Sequence, residues 1–153
     1  MDFGVSPEPT VLIDLYIDGP NLYADERFSM NNLMPEKIKG AERMAIVDQM
    51  ELIKFPKGQK IIGDSAGAVS IRDLVRNGYN VLAVSKNQPN IDGINKVRSY
   101  NLFITPRSTQ LKRGLESWFF KVDTNGKIIP QPDGHEPDGL AAIRYGIMYF
   151  YDN

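Results

Sequence analysis

The sequence predicts an α/β fold: a mixed sheet, with an antiparallel three-strand meander leading into parallel strands, flanked by helices. Three observations carry that expectation. The run VLIDLYIDG alternates apolar and polar residues, stops at the turn signal DGPN and resumes as LYADERFSM, which is the pattern of a hairpin. Between residues 60 and 118, short apolar runs alternate with segments of helical spacing, as parallel strands and their crossover helices do. Finally, 153 residues with 42% hydrophobic content suit one domain whose core is large enough to fold unaided.

The elements follow in order. The opening MDFGVSPEPT reads as the end of a strand and then a loop, because Gly4, Pro7 and Pro9 break regular structure. With the two hairpin strands it completes the meander, leaving Asp14 and Asp25 on a polar face. Pro35 at a first-turn position opens a helix expected to reach Met50, where Ile38, Ala41, Ala45 and Val47 give an imperfect apolar stripe. Next come the strand KIIGD, a helix over 68–77, a strand over 80–86, a helix over 91–99, a strand over 101–106 and a helix over 108–118. FFKVDTNGKII is a hairpin turning at Asn125-Gly126, and the last helix runs from Pro137 to about Tyr151. Asp2 is the second residue, whereas a strand usually needs about five. The expectation is therefore a single domain, residues 1–153, excised from a longer protein.

The chain has no cysteine, which excludes disulfides, thiolate zinc sites and cysteine nucleophiles. No apolar run approaches a membrane span, and the N-terminus lacks a basic region or a small-residue cleavage pattern. A soluble, non-secreted protein is expected. The net charge of −1 hides an asymmetry. Residues 1–53 carry 4 Lys/Arg against 10 Asp/Glu, residues 54–127 carry 13 against 5, and residues 128–153 carry 1 against 4. That distribution is either an unevenly charged solvated surface or a basic face for a polyanion beside an acidic pocket for cations. No GxxxxGK[ST] occurs, so the phosphate cradle of an ATPase is missing.

The stretch GDSAG, residues 63–67, has two chemical readings. As a nucleophile elbow it would make Ser65 the nucleophile of an acyl hydrolase, with Asp123 or Asp133 and His135 following in the required order. Against this, no HGG-type oxyanion loop lies upstream, and DGHEPD predicts a surface loop around His135. In the second reading the strand KIIGD delivers Asp64 to the carboxyl end of the sheet, where sites of open α/β sheets gather. Asp2 lies on the first strand just before the Phe3-Gly4 break. Asp138 follows Pro137 at the start of the last helix, where the backbone dipole favours a carboxylate. Singly, these are turn, cap or helix-start acids. Together, on rigid elements far apart in sequence, they suit hard divalent cations, which take oxygen ligands. Two such ions about 3.5–4 Å apart can activate water and stabilise the leaving oxygen of a phosphodiester.

Three blocks carry a family resemblance. MDFGVSPEPT looks like an Asp, aromatic, Gly, loop, then acid-Pro-Thr segment, with Glu8 where an aspartate is usual. GDSAGAVSIRDLVRNGYNVLAVSKN has an aspartate followed by Ser-Ala, a helix, Gly-aromatic-Asn-Val and a lysine, Lys86. FITPRSTQLKRGLESWFFKVDTNGKIIPQPDGHEPD places a Pro, a Leu, aromatics and a lysine before Asp-x-x-Gly-Lys and then His-x-x-Asp. Together they resemble the C-terminal nuclease domain of the large terminase subunit of tailed bacteriophages.

The resemblance implies a ribonuclease-H-like fold and an endonuclease that cuts concatemeric viral DNA during genome packaging by two-metal hydrolysis, using Mg2+ or Mn2+ and leaving a 5′ phosphate and a 3′ hydroxyl. Asp2, Asp64 and Asp138 would be the catalytic, metal-binding carboxylates, with Lys86, His135 and Asp133 as auxiliaries. The family pattern His-x-x-Asp-Ala-x-Arg-Tyr is not matched in full: aligned on Arg144 and Tyr145, its aspartate falls on Ala141, three residues past Asp138. Asp133 and Glu136 are therefore alternative third ligands. Lys96, Arg98, Arg107, Lys112 and Arg113 are candidates for contacts to the backbone of double-stranded DNA. Trp118, Phe119, Phe120, Tyr145 and Tyr149 are expected in the core. The implied full-length protein carries an N-terminal ATPase domain, engages the portal and the small terminase subunit, touches no membrane and works in the host cytoplasm. Two rival functions stand beside it: the serine acyl hydrolase, and a catalytically inactive ribonuclease-H-like module that binds DNA or a partner.

Overall fold

The structure, a computed structural model, describes residues 1–84, 89–118, 120–132 and 134–152. The predicted hairpin forms from β1 (Thr10–Asp18) and β2 (Asn21–Met30), antiparallel, with Tyr16 opposite Tyr23 and a register shift between Leu12 and Ile13. Gly19 supplies the left-handed turn residue between them, at φ 55°. The alternation that follows gives α1 (Ile46–Leu52), β3 (Lys60–Asp64), α2 (Ala68–Arg76), β4 (Asn80–Val84), α3 (Asn90–Arg98), β5 (Asn101–Ile104) and α4 (Thr109–Ser117). A small hairpin, β6 (Phe120–Val122) and β7 (Ile128–Pro132), precedes α5 (Asp138–Asp152).

β5 joins the hairpin as a parallel neighbour of β2, and β3 pairs in parallel with β4. What joins these two groups is the first strand of the meander, reduced to a single bridge. The Asp2 N–H donates to the Val11 carbonyl and the Val11 N–H to that of Asp2, each at 2.9 Å. On the other side, the Met1 amine donates to the Ile62 carbonyl at 2.5 Å. The hydrogen-bonded strand orders are β5-β2-β1, a mixed sheet, and β3-β4, with the Met1–Asp2 segment bonded to Val11 on one side and to Ile62 on the other.

Alternate side chains of the sheet point to opposite layers, so two cores form. One, around Leu12, Phe28, Met50, Ile61 and Leu74, lies against α1 and α2. The other, around Ile13, Leu22, Leu111, Ile143 and Ile147, lies against α3, α4 and α5. α5 is buried along most of its length, from Gly139 to Met148, which is why its sequence is apolar nearly all round.

The helix predicted from Pro35 to Met50 is corrected: only Ile46–Leu52 is α-helical. Gly40 adopts φ 82° and Ile38 is 57% exposed, so the first half has neither helical backbone nor a buried face. The backbone there bridges instead, with the Met34 N–H donating to Met44 at 2.9 Å and the Ile46 N–H to Met34 at 3.0 Å. α1 then starts where the Asp48 carboxylate accepts the Ala45 N–H at 2.9 Å. The strand expected over 101–106 ends at Ile104, because Thr105–Ser108 forms a turn into α4. Buried Glu26 on β2 accepts the N–H groups of Gln110 at 3.3 Å and Leu111 at 2.9 Å, capping α4 from across the sheet.

Candidate functional site

Asp64 is the last residue of β3, and both its carboxylate oxygens are engaged. One accepts the Ala66 N–H at 3.0 Å, capping the single 3-10 turn Ser65–Gly67. The other accepts the Tyr145 hydroxyl, 3.3 Å away on α5. The side chain is buried, so the strand, the turn and the helix together set its direction.

Asp2 reaches the same place because of the ring that follows it. Phe3 packs over Gly63 and Gly67, where an added Cβ would lie 2.6 and 2.1 Å from ring carbons. No side chain fits at either position without displacing the ring.

The other acids act on Asp2 through their charges. The Asp2 carboxyl is pushed up to about 6, first by burial and then by Asp138, with smaller contributions from Asp64 and Glu136 and an opposing one from the Met1 amine. Burial in turn pushes that amine down to about 5. Asp138, the first residue of α5, is also raised by burial, partly offset by His135. The Tyr145 phenol is raised by burial and by the charges of Asp2 and Asp64, so it stays protonated and donates. Asp2 thus feels the charges of both Asp138 and Asp64.

Glu136 lies beside them but is paired. Arg144 contacts it through two nitrogens, each at 2.8 Å, and the Arg144 guanidinium lies over the Tyr145 ring at 4.6 Å. Glu136, one of the alternative third ligands, is thus already neutralised. Beyond Asp138 a cleft of about 420 Å³ opens, lined by Glu8, Glu26, Arg113, His135 and Glu136 among others.

Carboxylate oxygens are the donors that hard divalent cations take. Ionised Asp2 is held at a cost that a cation would relieve. Among the described residues, no three His, Asp or Glu side chains converge closely enough to hold an ion.

The other predicted residues divide. Lys86 and Asp133 lie outside the described residues. His135 is exposed, its Nδ1 2.8 Å from the Glu136 carbonyl and its Nε2 3.6 Å from Glu8. Asp123 accepts the N–H groups of Asn125 and Lys127, within its own hairpin turn, and Ser65 is exposed on the 3-10 turn. Among the described residues the serine triad is not assembled. Of the five basic candidates, Arg113 lines the cleft. Arg107 is paired with Asp25 through two nitrogens, and Lys112 lies 3.9 Å from Glu116. Lys96 sits over the Tyr151 ring at 4.6 Å, at the far end of α5, roughly 20 Å from Asp138 by helical rise. Arg98 ends α3 on that same side.

Sequence reasoning placed Tyr145 in the core with Trp118 and Tyr149, and missed its contact with Asp64. A signal existed: Tyr145 follows Asp138 by seven residues, which puts both on one face of a helix. Trp118 does pack against the second core, and the Tyr149 hydroxyl accepts from Lys60 at 3.1 Å. Phe119 and the Phe120 side chain lie outside the described residues.

The mixed sheet flanked by helices is the ribonuclease-H-like arrangement expected from the sequence. No protein-family model matches the chain, and no curated protein matches its sequence. Among solved structures, it is similar to the g2p (large terminase) nuclease domain from the bacteriophage SPP1 with bound Mn. The TM-score is 0.75 over 97% of this chain and 83% of that one, at 22% identity. The chain has the fold of that terminase nuclease domain.

Proposed function

We propose that the chain is a divalent-metal-dependent endodeoxyribonuclease, the nuclease domain of a phage large terminase. One observation carries this reading: on the fold of a domain with bound Mn, the half-buried Asp2 carboxyl meets the charges of Asp64 and Asp138. Asp2, Asp64 and Asp138 would hold Mg2+ or Mn2+. When bound, the ions supply charge neutralisation on the phosphoryl oxygens and a hydroxide at neutral pH.

The residues present the rest. Asp64 is pre-oriented by Ala66 and Tyr145, Asp2 is fixed by the seating of Phe3, and Arg113 lies in the adjoining cleft, where a DNA phosphate would pass. Water adds to the phosphorus as the bond to the 3′ oxygen breaks, giving a 5′ phosphate and a 3′ hydroxyl. On this reading the full-length protein adds an ATPase domain and engages the portal and the small terminase subunit.

The test is plasmid cleavage. Supercoiled DNA with Mn2+ or Mg2+ should be nicked and linearised by the unaltered chain, and protected by EDTA or by Asp64→Asn. Cleavage that survives both changes would sink the reading. Binding of duplex without cleavage under either metal would favour the inactive module.

A further inference from the structure

We propose that Tyr145 is a positioning residue for the metal-binding carboxylate of Asp64, locked in place by Arg144 and Glu136. This rests on the nuclease reading above and names a group outside the proposed ligand set.

The geometry runs as one chain of contacts across the site. The Tyr145 hydroxyl donates to one Asp64 oxygen at 3.3 Å, while the Ala66 N–H holds the other at 3.0 Å. Two donors approaching from different elements, a helix and a turn, leave the carboxylate one orientation. Outer partners of this kind set the direction of a metal ligand, and removing one typically lowers metal affinity by 10–100-fold.

The ring is itself constrained. It is 6% exposed, and the Arg144 guanidinium covers it at 4.6 Å. That guanidinium is fixed in turn by its two 2.8 Å contacts to Glu136. The Arg144 stem crosses α3 at Gly93, where an added Cβ would lie 2.4 Å from Arg144 Cγ. Glu136 therefore serves the site from behind, as the anchor of the clamp.

The experiment is Mn2+ titration, followed by electron paramagnetic resonance, of the unaltered chain, Tyr145→Phe, Asp64→Asn and the double variant. Tyr145→Phe removes one hydroxyl from an otherwise unchanged ring, so it should fold, as thermal denaturation would show. The expected result is Mn2+ affinity about tenfold weaker in Tyr145→Phe, and no further loss when the change is added to Asp64→Asn. Equal loss in both backgrounds, or Tyr145→Phe affinity equal to that of the unaltered chain, overturns the proposal while leaving the nuclease reading intact. Absence of Mn2+ binding by the unaltered chain overturns both.

Discussion

Arg144 meets Glu136 through two contacts of 2.8 Å, and the two side chains are only 8% and 10% exposed. A pair this buried is not a large net source of stability, because both charges have left water. Removing one partner is a different matter, since the survivor stays buried and unpaired. Arg144→Met should lower the unfolding free energy by about 3–5 kcal/mol, because Glu136 becomes one more bare carboxylate beside Asp2. Adding Glu136→Leu should recover most of that loss. Denaturant unfolding of the three proteins gives the answer, and a double variant no better than the single one would count against the pairing.

The raised Asp2 carboxyl ties stability to pH. An unfolded aspartate titrates at 3.8 and folded Asp2 at about 6, so between those values the folded chain holds more protons than the unfolded one. Stability contributed by this group is therefore lost as pH rises through that window, by roughly 3 kcal/mol in total. The Met1 amine acts in the opposite sense between about 5 and 8, so the comparison has to be between variants at each pH. Without metal, Asp2→Asn is expected to melt higher than the unaltered chain at pH 7.5, with the gap closing towards pH 4. Mn2+ should narrow the gap from the other side by raising only the unaltered chain. A melting difference that is flat with pH would place Asp2 in water, away from its neighbours.

How much of this could be read from the sequence depends on how local each cause is. That Asp64 ends a strand was legible because the apolar run KIIGD stops at a charge, and that Asp138 starts a helix because it follows a helix-opening proline. The hairpin was legible because DGPN and strict alternation are short-range signals. The failures are non-local. Residues 35–45 carry apolar residues at helical intervals, but the chain at Gly40 turns left-handed and Met34 pairs with Ala45 instead. Tyr145 resembles any buried helix aromatic until β3 is packed against α5 and Asp64 meets its hydroxyl. Glu136 reads as an alternative third ligand, because its partner Arg144 is eight residues away, on a helix that begins after it. Arg107 reads as a free DNA contact, yet its partner Asp25 is 82 residues earlier.

Gly67 is expected to matter for a steric reason, since its φ of −80° is open to any residue. A Cβ there would lie 2.1 Å from Phe3 Cδ2 and would push the ring off its seat. Gly67→Ala should cost about 1–3 kcal/mol by overpacking and should weaken Mn2+ binding, because Asp2 moves with Phe3. Gly58→Ala is the control, as nothing lies within 4 Å of its would-be Cβ. Melting curves and Mn2+ titrations of both variants decide it, and matching behaviour would remove Phe3 from the account of how Asp2 is placed.

The basic residues should differ in what they do to DNA. Arg113 lines the cleft that Asp138 borders, whereas Lys96 packs on Tyr151 at the opposite end of α5 and Arg107 is held by Asp25. A phosphate contact releases counterions, so each one removed flattens the dependence of log affinity on log salt by about 1. Duplex binding measured by fluorescence anisotropy over a salt series, in EDTA to prevent cutting, should show that flattening for Arg113→Ala and little change for Lys96→Ala. Arg107→Ala should act mainly on the fold side, because the ion pair it breaks holds Asp25 down at about 2. The pattern is specific to a duplex entering along the Arg113 cleft. If Lys96→Ala flattened the slope and Arg113→Ala did not, DNA would lie over the α3 end of the domain, and the phosphate could not reach Asp2, Asp64 and Asp138 by the route drawn above.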